Sequence, residues 1–244
     1  VTAKDFVYGM RRFVDPATAS KYASTYGVFL QNAKEIIDGK KPVTELGVKA
    51  VDANTVEIKT PFPAGFLPEV VSNLQLGPIH KATIEKFGKD WTKPGNIVGN
   101  GAFTLKDWQV NSKIVLSKSP SYWDNKNVQL TQVTYLAVEE GNADVKLYES
   151  GENDWVYQLP PGSYDKYKAQ YPKDIRNSPM LGLRYYSLNN ADPMMKDVRV
   201  RKALSMVIDR NILADKVTAD GQVPSYGVIV KGVAGADVTS YDWA

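Results

Sequence analysis

Cysteine is absent from the 244 residues, which excludes disulfides, thiolate chemistry and Cys-based zinc sites in one step. Histidine is almost absent too. The single His80 cannot by itself build a histidine metal cluster and leaves little for a Ser-His-Asp triad, so beside Pro78 it reads as structural. No apolar run reaches the ~18 residues of a membrane span. The opening Val1-Thr-Ala-Lys-Asp5 lacks the basic and apolar regions of a signal peptide, and any export signal is expected upstream of it. Charge of one sign is also lacking. The 30 Lys and Arg stand against 27 Asp and Glu, interspersed, and the balance of +3 gives no general reason to bind nucleic acid or an anionic membrane.

Catalytic and cofactor motifs are missing as well. Gly95-Asn-Ile-Val-Gly-Asn-Gly101 lacks the Gly-Lys-Ser/Thr ending of a phosphate loop and the third Gly of a dinucleotide fingerprint, so it reads as a turn. There is no Gly-x-Ser-x-Gly elbow. Glu139 and Glu140 are adjacent, and neighbours on a strand point to opposite faces, so they would not converge for acid–base work. No Asp-x-Asp-x-Asp-Gly spacing offers a calcium loop. No catalytic residue, metal ligand or cofactor is therefore expected.

What is present is 43% hydrophobic content, enough for one large core or two modest ones. Thr2 and Asp5 form a capping box for a first helix with Phe6, Met10 and Phe13 on one face, ended by Asp15-Pro16. A second amphipathic stretch, Val28 to Asp38, closes at Gly39. Gly47–Val51 and Thr55–Lys59 alternate around a turn as a hairpin, and Phe103–Lys106 with Lys113–Ser117 predict another. Between Pro61 and Pro78 the prolines and glycines rule out a long element. Gln132–Val138 as strand, 142–150 as a helix stopped by Gly151, and Trp155-Val-Tyr157 as strand suggest a βαβ unit in a partly parallel sheet. Leu183–Leu188 reads as extended. Asp197 caps a helix whose Val200, Leu204, Val207 and Ile208 share an apolar, buried face, and Asp209 restarts the pattern as a second cap.

Aromatics are the positive signal. The chain holds 14 Tyr and 5 Trp, among them Tyr22, Tyr122, Trp123, Tyr157, Tyr185 and Tyr186 near strand ends. A tyrosine joins contact area to a hydroxyl, which suits capture of a polar ligand and equally suits an ordinary core edge.

The stretch from Asp197 to Ile212, with Val1-Thr-Ala-Lys-Asp-Phe-Val-Tyr8, Lys40-Lys-Pro42, Leu46-Gly-Val-Lys-Ala50, Glu85-Lys-Phe-Gly88, Tyr122-Trp-Asp-Asn125, Gln132-Val-Thr-Tyr-Leu136 and Ser150-Gly-Glu152, resembles the large periplasmic oligopeptide-binding proteins, peptide receptors of bacterial ABC importers (extracellular solute-binding protein family 5). The likeness runs nearly end to end and resembles an internal portion of such a receptor. It implies a mixed α/β portion of a two-lobed binding protein. Residues 1–80 would be the remainder of an accessory α+β domain, 81–181 the main part of lobe one, and 182–244 the start of lobe two, with the crossing near Met180 to Arg184.

The resemblance further implies a monomeric, periplasmic receptor, not an enzyme, that takes short peptides and passes them to an inner-membrane permease. The peptide main chain would be held in extended form and its side chains in roomy, hydrated pockets. Tyr157 and Gln158 match positions where the family sets Tyr and Asn along the peptide, Tyr185 matches a cleft Tyr beyond the crossing, and Tyr22 matches one from the accessory domain. Thr218 stands where a relative that contacts the peptide carboxylate has Lys. The family's acidic partner for the peptide amino terminus falls outside this stretch. Alternatives are a relative tuned to dipeptides, murein peptides or another small solute, a carbohydrate-active enzyme using tyrosine platforms, and a surface interaction module cut from a receptor.

Overall fold

Thr2 approaches in extended form and α1 (Ala3–Val14) begins where the Asp5 carboxylate accepts the Thr2 backbone N–H at 2.7 Å. This is the capping box expected from sequence, and Arg11 and Arg12 in the last turn suit the negative end of the helix dipole. Proline at position 16 holds Asp15 out of helical geometry and ends the helix. The buried face runs through Ala3, Val7, Met10, Phe13 and Val14, while Phe6 is only half-buried, so Val7 takes the place expected for Phe6. The computed structural model describes residues 1–178, 180–230 and 233.

Two short helices, α2 (Ala23–Tyr26) and α3 (Ala33–Ile37), follow. The single helix expected from Val28 to Asp38 is broken at Leu30–Asn32. There the Gln31 N–H donates to the Lys59 carbonyl at 2.8 Å, Asn32 turns left-handed (φ 65°), and its side-chain amide reaches the Glu45 carbonyl at 2.8 Å. Tertiary hydrogen bonds to the neighbouring hairpin outbid helical ones. That hairpin is β1 (Val48–Ala50) against β2 (Val56–Ile58), antiparallel as predicted.

Short α4 (Leu67–Val71) occupies the proline-rich stretch, and α5 (Lys81–Phe87) starts beside His80, whose Nδ1 lies 2.7 Å from the Thr83 hydroxyl. The core here joins Val7, Met10, Phe13 and Val14 to Leu30, Ala33, Ile36, Leu46, Val48 and Leu76.

The second predicted hairpin forms as β3 (Phe103–Gln109) and β4 (Lys113–Lys118), with left-handed Asn111 in its turn and a bulge between Leu105 and Asp107. β5 (Gln132–Leu136) adds to β4, giving the order β3-β4-β5. Every strand pair among the described residues is antiparallel. The expected βαβ unit is therefore a correction: Trp155–Tyr157 joins no ladder, and Leu183–Leu188 is assigned no strand. An isolated apolar run signals extension only through the strand it pairs with, and neither stretch has one among the described residues.

The chain divides into two compact units, Val1–Ala137 and Val138–Ala244. In the second, α6 (Gly141–Ser150) is capped by Glu140, whose carboxylate accepts the N–H groups of Asn142 and Ala143 at 3.1 and 2.9 Å, and is stopped by left-handed Gly151 (φ 78°). α7 (Tyr164–Gln170) and α8 (Pro193–Lys196) follow, then α9 (Val198–Met206) and α10 (Arg210–Ile212), which runs into a π-helical turn, Leu213–Thr218. Both predicted caps hold: Asp197 accepts the Arg199 N–H at 2.9 Å, and Asp209 accepts those of Asn211 and Ile212 at 2.9 and 3.0 Å. The predicted burial does not. Leu204 is 40% exposed and Val207, just past the end of α9, is 79% exposed, while Val200 and Ile208 are half-buried. The apolar stripe exists, but no described element covers it.

Candidate functional site

The segment after α6 is held at both ends. Behind Gly151, the N–H groups of Glu152 and Asn153 donate to the Leu147 carbonyl at 2.8 and 3.1 Å, and the Asn153 side-chain amide reaches the Asp144 carboxylate at 2.7 Å. At the far end Pro160 is buried against Gly141, where an added Cβ would lie 3.5 Å from the proline ring, and the Ser163 hydroxyl donates to the Pro160 carbonyl. Between these anchors stand Trp155, Tyr157 and Gln158.

Tyr157 is 84% exposed and Gln158 is exposed. The Tyr157 ring lies 6.2 Å from that of Trp155 at 80°, an edge-to-face contact. Among the described residues the Tyr157 hydroxyl has no hydrogen-bond partner, so it is free to donate to or accept from a ligand main chain. Tyr185 and Tyr186 are likewise exposed. Among the described residues no hydrogen bond or ring contact joins Tyr157 or Gln158 to Tyr185. Tyr22 belongs to the first unit, where it precedes α2, is exposed, and tilts against Tyr26 at 6.0 Å.

A second group of tyrosines was not singled out by sequence. Tyr148 donates to the Asp174 carboxylate at 3.1 Å, and Tyr171 donates to that of Glu149 at 3.3 Å while its own hydroxyl accepts from Gln170 at 2.9 Å. The Tyr148 phenol is pushed up first by its bond to Asp174, and the Tyr171 phenol first by desolvation and then by Glu149. Tyr171 stacks on Tyr167 and meets Tyr148 edge-on, so these rings tie α6 to α7. Their hydroxyls are occupied, unlike that of Tyr157. Partners more than 20 residues apart leave no spacing signal.

Among the described residues no group of three or more His, Asp or Glu could hold a metal ion, and no helix is long and apolar enough to cross a membrane. Glu140, expected only as a solvated strand end, proves to be a helix cap whose carboxyl is held below its ordinary range chiefly by the Asn142 backbone N–H.

Comparison with known proteins gives these features a context. The chain is 46% identical over 246 residues to the periplasmic oligopeptide-binding protein OppA of Escherichia coli K12, covering all of this chain and 45% of that protein. The solved structure of Burkholderia pseudomallei OppA matches with a TM-score of 0.90 at 45% identity, over 97% of this chain and 47% of that one. Haemophilus influenzae OppA in complex with RPPGFSPFR matches with a TM-score of 0.85 at 40% identity, over 93% and 44%. The chain thus spans less than half the length of the relatives it matches. The family model described as bacterial extracellular solute-binding proteins, family 5 middle, matches residues 1–243, and the chain belongs to that family.

Proposed function

We propose that this chain is the middle part of the substrate-binding component of an ABC importer, a periplasmic receptor that captures short peptides and is not an enzyme. The match of residues 1–243 to the solute-binding family carries the reading, and the peptide-bound relative from Haemophilus influenzae, similar over 93% of this chain, supports the ligand class. In this reading Tyr22, Tyr157, Gln158 and Tyr185 face the peptide, the accessory domain of lobe one ends near residue 80, and lobe two begins near residue 182. Tyr157 with its hydroxyl and Gln158 with its amide would bond the peptide main chain, which every peptide offers alike, so recognition would tolerate sequence.

Enclosure by two opposed lobes needs more chain than is present here. The acidic partner that the family resemblance assigns to the peptide amino terminus also falls outside it. Losing one member of a buried charge pair costs roughly 2 to 5 kcal/mol, about 30- to several-thousand-fold in affinity. Calorimetry with a mixed tri- to pentapeptide pool is expected to show tight binding by the complete receptor and weak or no binding by this chain. Equal affinities would show that the residues present suffice. No peptide binding by the complete receptor would overturn the peptide reading in favour of another small solute.

A further inference from the structure

We propose that Trp155 and Tyr157 together form a corner that takes a large apolar or aromatic side chain of the bound peptide. The inference rests on the reading that Tyr157 faces the ligand and adds a side-chain preference to it. Trp155 is 68% exposed, and its ring contact with Tyr157 brings the two rings together past the half-buried Val156 between them. Val156 is half-buried, so the chain turns its small apolar residue inward and its two largest outward.

Such exposure is not slack at a loose end. The segment is pinned by Asn153 to Asp144 in front and by Pro160 against Gly141 behind. A short, doubly anchored stretch presents the two rings at 80°, with the Tyr157 hydroxyl, unbonded among the described residues, beside them. A ligand that bonds this hydroxyl through its main chain would carry an adjacent side chain within reach of the indole face. Edge-to-face and offset-stacked contacts favour an aromatic or bulky apolar group there.

A cationic side chain could also sit over an indole, drawn by the ring alone and more strongly where an unpaired carboxylate lies nearby. The carboxylates anchored close to this segment are engaged: Asp144 accepts from Asn153, and Glu140 caps α6. The two rings meeting edge to face extend naturally to a third aromatic or bulky apolar group, and Lys at the same position is the competing outcome of the test.

The test uses the complete receptor, titrated by calorimetry with Ala-Ala-Ala, with Phe placed at each position in turn, and with Lys at the same positions. One Phe position is expected to bind about 10-fold tighter than Ala-Ala-Ala, the size of a good aromatic contact together with its buried area. Trp155→Ala should abolish that preference while leaving Ala-Ala-Ala within about 2-fold of wild type, a margin set by the main-chain contacts. Trp155→Phe, which keeps an aromatic ring and guards against a folding defect, should retain most of the preference. Equal loss for all peptides in Trp155→Ala, a wild type that does not distinguish Phe from Ala, or a preference for Lys would each overturn the corner while leaving peptide binding itself intact. A wild type that binds none of these peptides would instead sink the peptide reading.

Discussion

α1 and α9 carry the same kind of message in sequence and meet different fates. Each has a capping residue at its start and apolar positions at helical spacing, Val7, Met10 and Val14 in one, Val200, Leu204 and Val207 along the other. The face of α1 disappears under Leu30, Ile36, Leu46, Val48 and Leu76. That of α9 buries none of its residues. Amphipathic spacing states which face would be buried, but burial needs a second surface, and only α1 finds one among the described residues. Of the two helices, α1 therefore contributes more to stability.

The largest expected effect is at Ile36, 0% exposed in that core. Replacing it by Ala should cost about 2 to 5 kcal/mol, through lost transfer energy and the cavity left behind. Urea denaturation checks this, and a cost below about 1 kcal/mol would break the contrast between the two helices.

Gly9→Ala tests how tightly α1 is seated. Alanine improves helix propensity by up to about 1 kcal/mol, yet a Cβ at this buried position would collide with the Gly77 carbonyl oxygen, which is backbone and cannot rotate aside. The clash should win, with a net loss of about 1 to 2 kcal/mol. A stabilised variant would mean that α1 can slide away from Gly77 at little cost.

Leu204→Ala sharpens the comparison from the other side. In this chain the change should stay within about 0.5 kcal/mol, as for other exposed positions. Measured in the complete receptor, the same substitution should cost about 2 to 5 kcal/mol if a further segment covers the stripe. Similar small values in both would show that the face is solvent-exposed in the whole molecule.

The smallest effect is on pH dependence. Asp38, beside Lys34 and Lys40, Asp52, bonded by the Asn54 N–H, Asp197, held by Arg199, and Glu140 all have carboxyls below their ordinary range. A depressed folded-state value means stability that is fully present above the unfolded value and lost as pH falls through the folded one. Melting temperature should thus be flat near neutrality and decline once pH drops below the usual carboxylate range. All four are surface groups, so the decline attributable to them should be modest and should shrink in Asp197→Asn. An unchanged acid limb in that variant would remove Asp197 from the account.

Both hairpins, the capping roles of Asp5, Asp197 and Asp209, and the stop at Gly151 were legible because each is written in residues that lie close together in the chain. Tyr157 was singled out as ligand-facing only through resemblance, since composition could not separate it from Tyr148 and Tyr171, whose hydroxyls are spent on Asp174 and Glu149. Trp155 was read as a strand residue, because a residue with no ladder partner looks the same in sequence as one that has found it.

Local geometry and family were thus determined by the sequence alone, through turn residues, caps, periodicity and the order of its motifs. Tertiary structure alone decided the break at Asn32, the antiparallel sheet, the burial of α1 and the exposure of α9. The physical reason is common to all four. A hydrogen-bond donor at Gln31 or an apolar face at Leu204 specifies a need, and which distant carbonyl or side chain meets it depends on surfaces brought together only by folding.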